Sequence, residues 1–314
     1  MDFQKWSTRW ETCARSITWR ASWAGTERSE QREVGMTTAT VDESTGKVSG
    51  FLGRTEALLG TPCLQRFSRA CVAVAGLGGV GGAILPTLVR MGIGHFRIAD
   101  PGLYDEPDMN RQWGATHLTM GKNKTEVYTD FIKSVNPDAD VVGFPMGVTE
   151  ENIAEFLEGA DVLIEALDLK VEPALRLKVA AHARKNGIYN INSPIVGFGS
   201  AVASAAPDGM QMDEFMKHVA QARKTGKMPA IFSKVFSASY IDIIETQIAE
   251  RRIVPSIAIA PTLTAAMVAT EVAMIIGGEE MPGWRKPVCL PDLIVTDLAR
   301  MSSSVISIAD LSLS

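Results

Sequence analysis

Three glycines with the spacing G-x-G-x-x-G are the first residues along the chain whose pattern suits chemistry. Gly76, Gly78 and Gly81 directly follow a short apolar run and precede a helical pattern. At such a junction, backbone N–H groups and the positive end of the helix dipole can hold phosphate groups. Asp100 lies 19 residues after Gly81, at the end of the next predicted strand, where a carboxylate can bind ribose hydroxyls. The pattern predicts a nucleotide site without identifying the nucleotide, and such a turn can also serve strand–helix packing alone.

Charged residues further along the chain favour a triphosphate over a dinucleotide. Arg111 lies 11 residues past Asp100, and Lys124 opens the next predicted helix. Two cationic side chains exceed what a pyrophosphate diester needs, whereas a triphosphate needs them to neutralise its charge and to stabilise the leaving pyrophosphate. Asp168 follows a predicted strand at the same edge of the sheet, where a carboxylate can hold Mg²⁺. Each residue alone is typical of a solvated surface charge, so the prediction depends on their combination.

Strands and helices alternate along the first two thirds of the chain and would position these residues. The predicted strands are at 71–75, 96–99, 140–144, 162–166 and 188–191, and the predicted helices are at 56–67, 83–91, 125–135, 150–158 and 173–185. Alternation at this spacing indicates a parallel sheet covered on both faces. The carboxyl ends of its strands meet at one edge, so the glycine turn, Asp100 and Asp168 are expected to lie together.

The alternation stops after about Asp208. Helices are predicted at 210–222, 237–251 and 262–276, and closing strands at 288–298 and 305–311. The predicted fold class is therefore α/β, a Rossmann-like doubly wound, mostly parallel sheet with an antiparallel C-terminal extension. We divide the chain into a poorly ordered tail at 1–50 and one domain at 51–314, with a nucleotide-binding half at 51–207 and a substrate-side, closing half at 208–314.

The predicted tail contains four of the six tryptophans within its first 23 residues, mixed with Arg, Ser and Thr and without a helical or strand period. One interpretation of this composition is that the natural protein starts at Met36 and that the preceding residues belong to an over-extended reading frame. The other interpretation is a Trp/Arg arm that docks a partner.

Charge and cysteine content exclude several classes of protein. With 31 Lys and Arg against 36 Asp and Glu, the formal net charge is −5, so we expect neither nucleic acid nor an anionic membrane as a partner. The apolar run at 261–277 contains Glu271 and is expected to be too short to span a bilayer. Four scattered cysteines without a C-x-x-C pair predict neither a zinc site nor a disulfide framework. No secretory signal is apparent, and we expect a cytoplasmic protein.

Seven ordered motifs make the chain similar to the ThiF/MoeB/HesA family, the adenylating fold of ubiquitin-activating enzymes. The resemblance covers about Arg54 to the C-terminus. The motifs are the strand and glycine turn at 71–82, Gly92-Ile-Gly, Ile98-Ala-Asp, Asn110-Arg-Gln, Gly121-Lys-Asn-Lys, Val135-Asn-Pro and the segment at 161–168.

The resemblance implies a role for each matching residue. The nucleotide-binding residues would be Gly76, Gly78, Gly79, Gly81, Asp100 for the ribose, Asn110 and Gln112. The catalytic residues would be Arg111 and Lys124 at the phosphates, Asp168 at Mg²⁺, and Arg54, which would reach the γ-phosphate bound by the partner in a homodimer.

The implied reaction is attack of a carboxylate on the α-phosphorus of ATP, which gives an acyl-adenylate and pyrophosphate. The carboxylate would belong to the C-terminus of a ubiquitin-like or sulfur-carrier protein, to a peptide or to a small acid. Three alternatives stay open: a tRNA-modifying cyclic-threonylcarbamoyladenosine-type dehydratase of the same fold, a non-catalytic nucleotide-gated partner, and a nicotinamide-dependent dehydrogenase.

The sequence departs from the family pattern at several points. Many relatives carry two zinc-binding C-x-x-C pairs, and this chain has none, so a zinc-free or divergent branch is implied. Asp108 stands where asparagine is common, which adds negative charge near the phosphates or assists the metal. Cys63, Cys71 and Cys289 are expected to be structural, so adenylation without thioester transfer is predicted.

Overall fold

The computed structural model describes residues 41, 47–168, 171–214, 236–251 and 255–308. These residues belong to one compact unit, Met36–Ser314. Of the predicted tail, only residues 41 and 47–50 are described, so its disorder stays a prediction.

A single sheet of nine strands organises the described part of the chain. The strands are β1 (Cys71–Ala75), β2 (His95–Ala99), β3 (Asp140–Phe144), β4 (Val162–Glu165), β5 (Tyr189–Asn192), β6 (Ile195–Val196), β7 (Gly199–Ala205), β8 (Asp292–Asp297) and β9 (Ser302–Ser307). Their order is β3-β2-β1-β4-β5-β7-β8-β9, with β6 paired to β7. The first five strands are parallel and the others antiparallel, as the sequence predicts.

The strand order reverses beside β1, between β2 on one side and β4 on the other. Ala75 at the end of β1 is in register with Ala99 of β2 and with Glu165 of β4. The residues that follow these strands therefore emerge side by side at the carboxyl edge. In open α/β sheets, ligands bind at this switch point.

Helices cover the faces of the sheet. They are α1 (Gly53–Leu59), α2 (Thr61–Arg69), α3 (Gly79–Met91), α4 (Lys124–Val135), α5 (Ile153–Phe156), α6 (Pro173–Lys185), α7 (Ala238–Arg251) and α8 (Ile259–Gly277), with 3-10 turns at Gly50–Leu52 and Glu106–Asn110. The main core lies under α2, α3 and α8, where Phe67, Leu85 and Val268 are fully buried.

Helix α8 corrects one expectation from the sequence. It has 19 residues and a mean hydropathy of 1.7, so by length and composition it could cross a membrane. Half of this apolar stretch is buried inside the protein, where α8 packs on α3, α2 and β7. An apolar helix in this position is the core helix of an α/β domain.

Several predicted boundaries are wrong. The helix predicted at 56–67 is two helices, because Gly60 has a φ of +80° and breaks it. The helix predicted at 150–158 is limited to Ile153–Phe156, and the closing strands begin at Asp292 and Ser302. Strands β6 and β7 were not predicted at all. The helix predicted at 210–222 lies mostly outside the described residues.

Candidate nucleotide site

The glycine turn joins β1 to α3 with almost no space for side chains. Gly76 has a φ of +93°, and a Cβ on it would lie 2.3 Å from the carbonyl oxygen of Ala166. A Cβ on Gly81 would lie 1.9 Å from the carbonyl oxygen of Gly76. Glycine is therefore required at both positions for packing. Gly78 caps α3 without a side-chain hydrogen bond, which leaves the first N–H groups of the helix available to an anion.

Asp100 holds the glycine turn against the end of β2. Its Oδ2 atom accepts a hydrogen bond from the Leu77 N–H at 2.6 Å, and its Oδ1 atom accepts one from the Gly102 N–H at 2.7 Å. Each carboxylate oxygen has a second lone pair. The predicted ribose contact is therefore compatible with this structural role.

Lys124 is the first residue of α4, and the cap of that helix positions it. Asn123 accepts a hydrogen bond from the Thr125 N–H at 2.9 Å, and the Thr125 hydroxyl donates to the carbonyl oxygen of Asp100 at 3.1 Å. The ammonium group of Lys124 lies 5.3 Å from the centre of the Tyr104 ring. These contacts fix the start of α4 to the end of β2, beside the glycine turn.

Asp108 links three of the predicted phosphate-binding residues. Its Oδ2 atom lies 3.0 Å from Nζ of Lys124, and its Oδ1 atom lies 3.6 Å from NH2 of Arg111. The Gln112 side chain also donates from Nε2 to Oδ1. In the sequence, Asp108 stands out only as a departure from the family pattern. We refer to Asp108, Arg111, Gln112 and Lys124 as the phosphate cluster.

The phosphate cluster borders the glycine turn. A Cβ on Gly78 would lie 3.8 Å from the Gln112 amide nitrogen, and a Cβ on Gly79 would lie 3.7 Å from Cγ of Arg111. The side chain of Asn110 accepts a hydrogen bond from Arg111 at 3.0 Å and donates one to the carbonyl oxygen of Ser256 at 3.1 Å. The structure thus brings together most of the residues that the sequence predicts for a nucleotide.

Asp168 follows β4 at the same edge of the sheet, with an exposed side chain. Among the described residues, no group of three or more His, Cys, Asp or Glu side chains could hold a metal ion. Mg²⁺ usually takes one or two carboxylates and completes its shell with water and substrate phosphates. A single exposed carboxylate at the carboxyl edge of the sheet fits this donor set, and Asp168 is the residue that would hold the ion.

Arg176 on α6 was not predicted. Its Nη1 atom lies 3.3 Å from Oε1 of the buried Glu165, and its Nη2 atom donates to the carbonyl oxygens of Leu167 and Asp168, both at 2.5 Å. Burial raises the pKa of Glu165, and Arg176 opposes that rise. Arg176 thereby fixes the turn that carries Asp168.

Arg54 is separated from the phosphate cluster in the single chain. It lies on α1 with an exposed side chain, and none of the contacts among the described residues joins it to Arg111 or Lys124. Its proposed reach into a second copy stays a prediction.

The thiols in the described part of the chain are poorly suited to attack an adenylate. Burial raises the pKa of Cys71 to about 11 and also raises the pKa values of Cys63 and Cys289. The thiolate is the nucleophilic form of cysteine, so a raised pKa makes a thiol less reactive at neutral pH. Cys13 lies outside the described residues.

A doubly wound sheet with a glycine turn at its switch point and a cationic cluster beside it defines a nucleotide-binding protein of the α/β class. More specifically, the chain belongs to the ThiF family, whose profile matches residues 52–310.

Two curated relatives illustrate the family, and one solved structure illustrates the fold. Over 168 residues the chain is 32% identical to the tRNA threonylcarbamoyladenosine dehydratase of Escherichia coli. This match covers 53% of the present chain and 60% of the relative. Over 135 residues the chain is 32% identical to the sulfur carrier protein ThiS adenylyltransferase of Bacillus subtilis. This match covers 42% of the present chain and 39% of the relative. The crystal structure of E. coli MccB with ATP superimposes with a TM-score of 0.60 at 18% identity, over 79% of this chain and 67% of that chain.

These comparisons confirm the family and the fold class, and the relatives named as adenylyltransferases fit the predicted class of enzyme. The matches span less than two thirds of either curated relative. At 18% identity, the likeness to MccB is evidence for the fold alone.

Proposed function

We propose that the protein uses ATP to activate a carboxylate as an acyl-adenylate, with release of pyrophosphate. The observation that carries this proposal is the phosphate cluster beside the glycine turn, in which Arg111 and Lys124 lie at the carboxyl edge of the sheet. Membership of the ThiF family supports it.

In the proposed reaction, a carboxylate oxygen attacks the α-phosphorus, and the bond from that phosphorus to the bridging oxygen of pyrophosphate breaks. A carboxylate is already ionised at neutral pH, so the protein needs no general base for this step. Its contribution is alignment and stabilisation of the charge that moves onto the leaving group. Arg111 and Lys124 are positioned to take up that charge, and the N-terminus of α3 binds the phosphate chain.

Mg²⁺, held by Asp168, would neutralise charge on the phosphate oxygens. Arg176 keeps the Asp168 turn in place from α6. Asp100 would orient the ribose while it holds Leu77 and Gly102. A homodimer in which Arg54 completes the site of the other copy, and a cytoplasmic location, are further parts of the proposal.

The proposed acceptor is a carboxylate, either at the C-terminus of a small carrier protein or peptide or on a small acid. One relative is named for the adenylation of a sulfur carrier protein, and a net charge of −5 gives this chain no general attraction for nucleic acid. Because burial raises the pKa of each described thiol, the adenylate is expected to be captured by an external nucleophile.

The decisive experiment is exchange of labelled pyrophosphate into ATP, screened over candidate acids and carrier peptides. Exchange that depends on one carboxylate is expected, and Arg111→Ala, Lys124→Ala and Asp168→Ala should each abolish it. Lys122→Ala is the matched control, because that side chain is exposed in the same loop. Wild-type exchange in Arg111→Ala, Lys124→Ala or Asp168→Ala would remove the assignment.

A second candidate is the tRNA-modifying dehydratase reaction, which the name of the E. coli relative favours. It also requires activation of a carboxylate, but the carboxylate belongs to a nucleoside in tRNA. A gel shift with unmodified tRNA separates the two functions. Binding at physiological salt, together with tRNA-dependent pyrophosphate exchange, would favour the dehydratase over a peptide or small-acid ligase.

The remaining alternatives make different predictions. A nicotinamide-dependent dehydrogenase would be stabilised against thermal unfolding by NAD rather than by ATP. A non-catalytic nucleotide-gated partner would bind ATP without supporting exchange.

A further inference from the structure

Asp108 stands at the centre of the phosphate cluster and is almost fully buried. Only 7% of the residue is exposed, and it lies on the 3-10 turn Glu106–Asn110. The side chains of Lys124 and Arg111 are 12% and 30% exposed, so the three charges interact with little screening by water.

The carboxylate cancels part of the charge that would attract a nucleotide. Arg111 and Lys124 contribute two positive charges and Asp108 one negative charge, which leaves a net charge of +1. Metal-free ATP carries about four negative charges at neutral pH, and Mg²⁺ lowers this to about two. A cluster with one net positive charge therefore matches the metal-bound nucleotide better than the free one.

Asp108 also determines which end of the Gln112 amide is committed. An ionised carboxylate only accepts hydrogen bonds, so Gln112 must donate to it from Nε2. The Oε1 atom of Gln112 is buried and has no hydrogen-bond partner among the described residues, and Nε2 and Oε1 lie 3.8 and 3.9 Å from the position of a Cβ on Gly78. One of the two N–H donors of the Gln112 amide is therefore committed to Asp108 rather than to the phosphates.

We propose that Asp108 makes the site selective for Mg²⁺-bound ATP over metal-free ATP. This inference rests on the proposed function. Asp108 lowers the positive charge of the phosphate cluster, so Mg²⁺ must supply the charge that the triphosphate still needs. The Oδ2 atom of Asp108 pairs with Lys124, and Oδ1 accepts from Gln112 and lies within ion-pair distance of Arg111, so Asp108 acts on the nucleotide through these side chains.

The test is calorimetric titration of the full chain with ATP, in EDTA and in excess Mg²⁺. Asp108→Asn keeps the side-chain shape and removes the charge. Because the electrostatic effect scales with the charge of the ligand, Kd is expected to fall about tenfold for free ATP and about threefold for Mg²⁺–ATP. Glu106→Gln is the matched control: it removes the same charge from an exposed side chain of the same turn and should change neither Kd.

Arg111→Gln changes the charge of the cluster in the opposite direction. It provides a second test of the charge effect on Kd, which can be used if Asp108→Asn fails to fold. It lowers the net charge of the cluster by one, so binding should weaken about tenfold in EDTA and about threefold in Mg²⁺. The preference for Mg²⁺–ATP would then widen, whereas Asp108→Asn narrows it.

An unchanged ratio of the two Kd values in both variants overturns the selectivity but leaves the proposed function intact. Weaker binding of both forms by Asp108→Asn also overturns it, because Asp108 would then act only by positioning Lys124 and Arg111. Failure of the wild-type chain to bind ATP under either condition overturns the proposed function itself, and the inference with it.

Discussion

The guanidinium group of Arg176 donates to the main-chain carbonyl oxygen of Asp168 at 2.5 Å. The same nitrogen donates to the carbonyl oxygen of Leu167, and NH1 lies 3.3 Å from a carboxylate oxygen of Glu165. One side chain on α6 thus links the end of β4 to the turn that carries the proposed metal ligand. The connection runs through the backbone, so it fixes where Asp168 emerges rather than what its carboxylate contacts.

We expect Arg176→Lys to impair pyrophosphate exchange by raising the Mg²⁺ requirement. A lysine ammonium cannot reproduce the planar fork that reaches two carbonyl oxygens and a carboxylate. The half-saturating Mg²⁺ concentration should rise about tenfold, in keeping with the loss of an outer-shell partner, while Kd for ATP in EDTA changes little. Lys178→Met is the control on the same helix, since it removes only an exposed ion pair with Glu150. An unaltered Mg²⁺ dependence in Arg176→Lys would contradict the positioning role.

Gly81→Ala should disrupt the glycine turn. The new Cβ would lie 1.9 Å from the carbonyl oxygen of Gly76, and backbone cannot move aside as a flexible side chain can. We expect a loss of stability of about 2–3 kcal/mol and at least a tenfold weaker affinity for ATP. Gly53→Ala on α1 is the matched control, because nothing lies within 4 Å of its Cβ position. Thermal unfolding with and without ATP measures both effects, and equal behaviour of the two variants would refute the packing argument.

Local spacing made the glycine turn and Asp100 predictable, because sequence neighbours alone determine a strand–turn–helix junction. The break at Gly60 also had a signal, because Pro62 stands in the first turn of the next helix, two residues after the glycine, but the helical period concealed it. Strand β7 had none: its small residues, Gly199–Ala205, are all buried and do not alternate.

The roles of Asp108 and Arg176 depend on side chains that meet only after folding. Asp108 stands out in the sequence as a departure from the family pattern, but its contact with Lys124 crosses 16 positions. Arg176 resembles any other charge on an amphipathic helix until α6 is docked on the sheet. Composition and spacing therefore predicted which residues lie at the carboxyl edge of the sheet. They did not predict that Asp108 and Arg176 position other residues of the site.

The ion pair between Glu271 and Arg285 should respond asymmetrically to substitution. Glu271 on α8 is fully buried and accepts hydrogen bonds from the Arg285 guanidinium and from the Val288 N–H at 3.0 Å, whereas the Arg285 side chain is 42% exposed. Arg285→Met leaves an uncompensated buried carboxylate, at a cost of about 3–5 kcal/mol. Glu271→Gln leaves an arginine that can reach water, so about 1–2 kcal/mol is expected.

Urea unfolding of the two variants at neutral pH measures this difference. Glu280→Gln provides the control, since its pair with Arg66 is exposed on both sides and should contribute less than about 1 kcal/mol. Equal losses for Arg285→Met and Glu271→Gln would indicate that the buried carboxylate is stabilised by something other than Arg285.

Glu165 should make stability depend on pH in a direction opposite to that of most carboxylates. Desolvation raises its pKa above the ordinary value of 4.5, so the folded protein binds this proton more tightly than the unfolded chain does. The stabilising contribution is therefore complete below pH 4.5 and is lost as the pH rises through the raised folded-state pKa. Arg176 and Asn190 reduce this effect but are not its largest cause.

Glu165→Gln removes the titration and keeps the side-chain shape. The free energy of unfolding of the wild type, minus that of the variant, should fall as the pH is raised from about 4 to about 8. Urea unfolding of both chains across this range measures it, because every other titrating group is common to the two and cancels in the difference. A difference that rises with pH would mean that the ion pair with Arg176 outweighs burial and lowers the pKa of Glu165. The ionised Glu165 carboxylate would then hold Arg176 in place through the ion pair. The free energy of unfolding of Arg176→Lys should in that case be lower than that of the wild type in the same pH range.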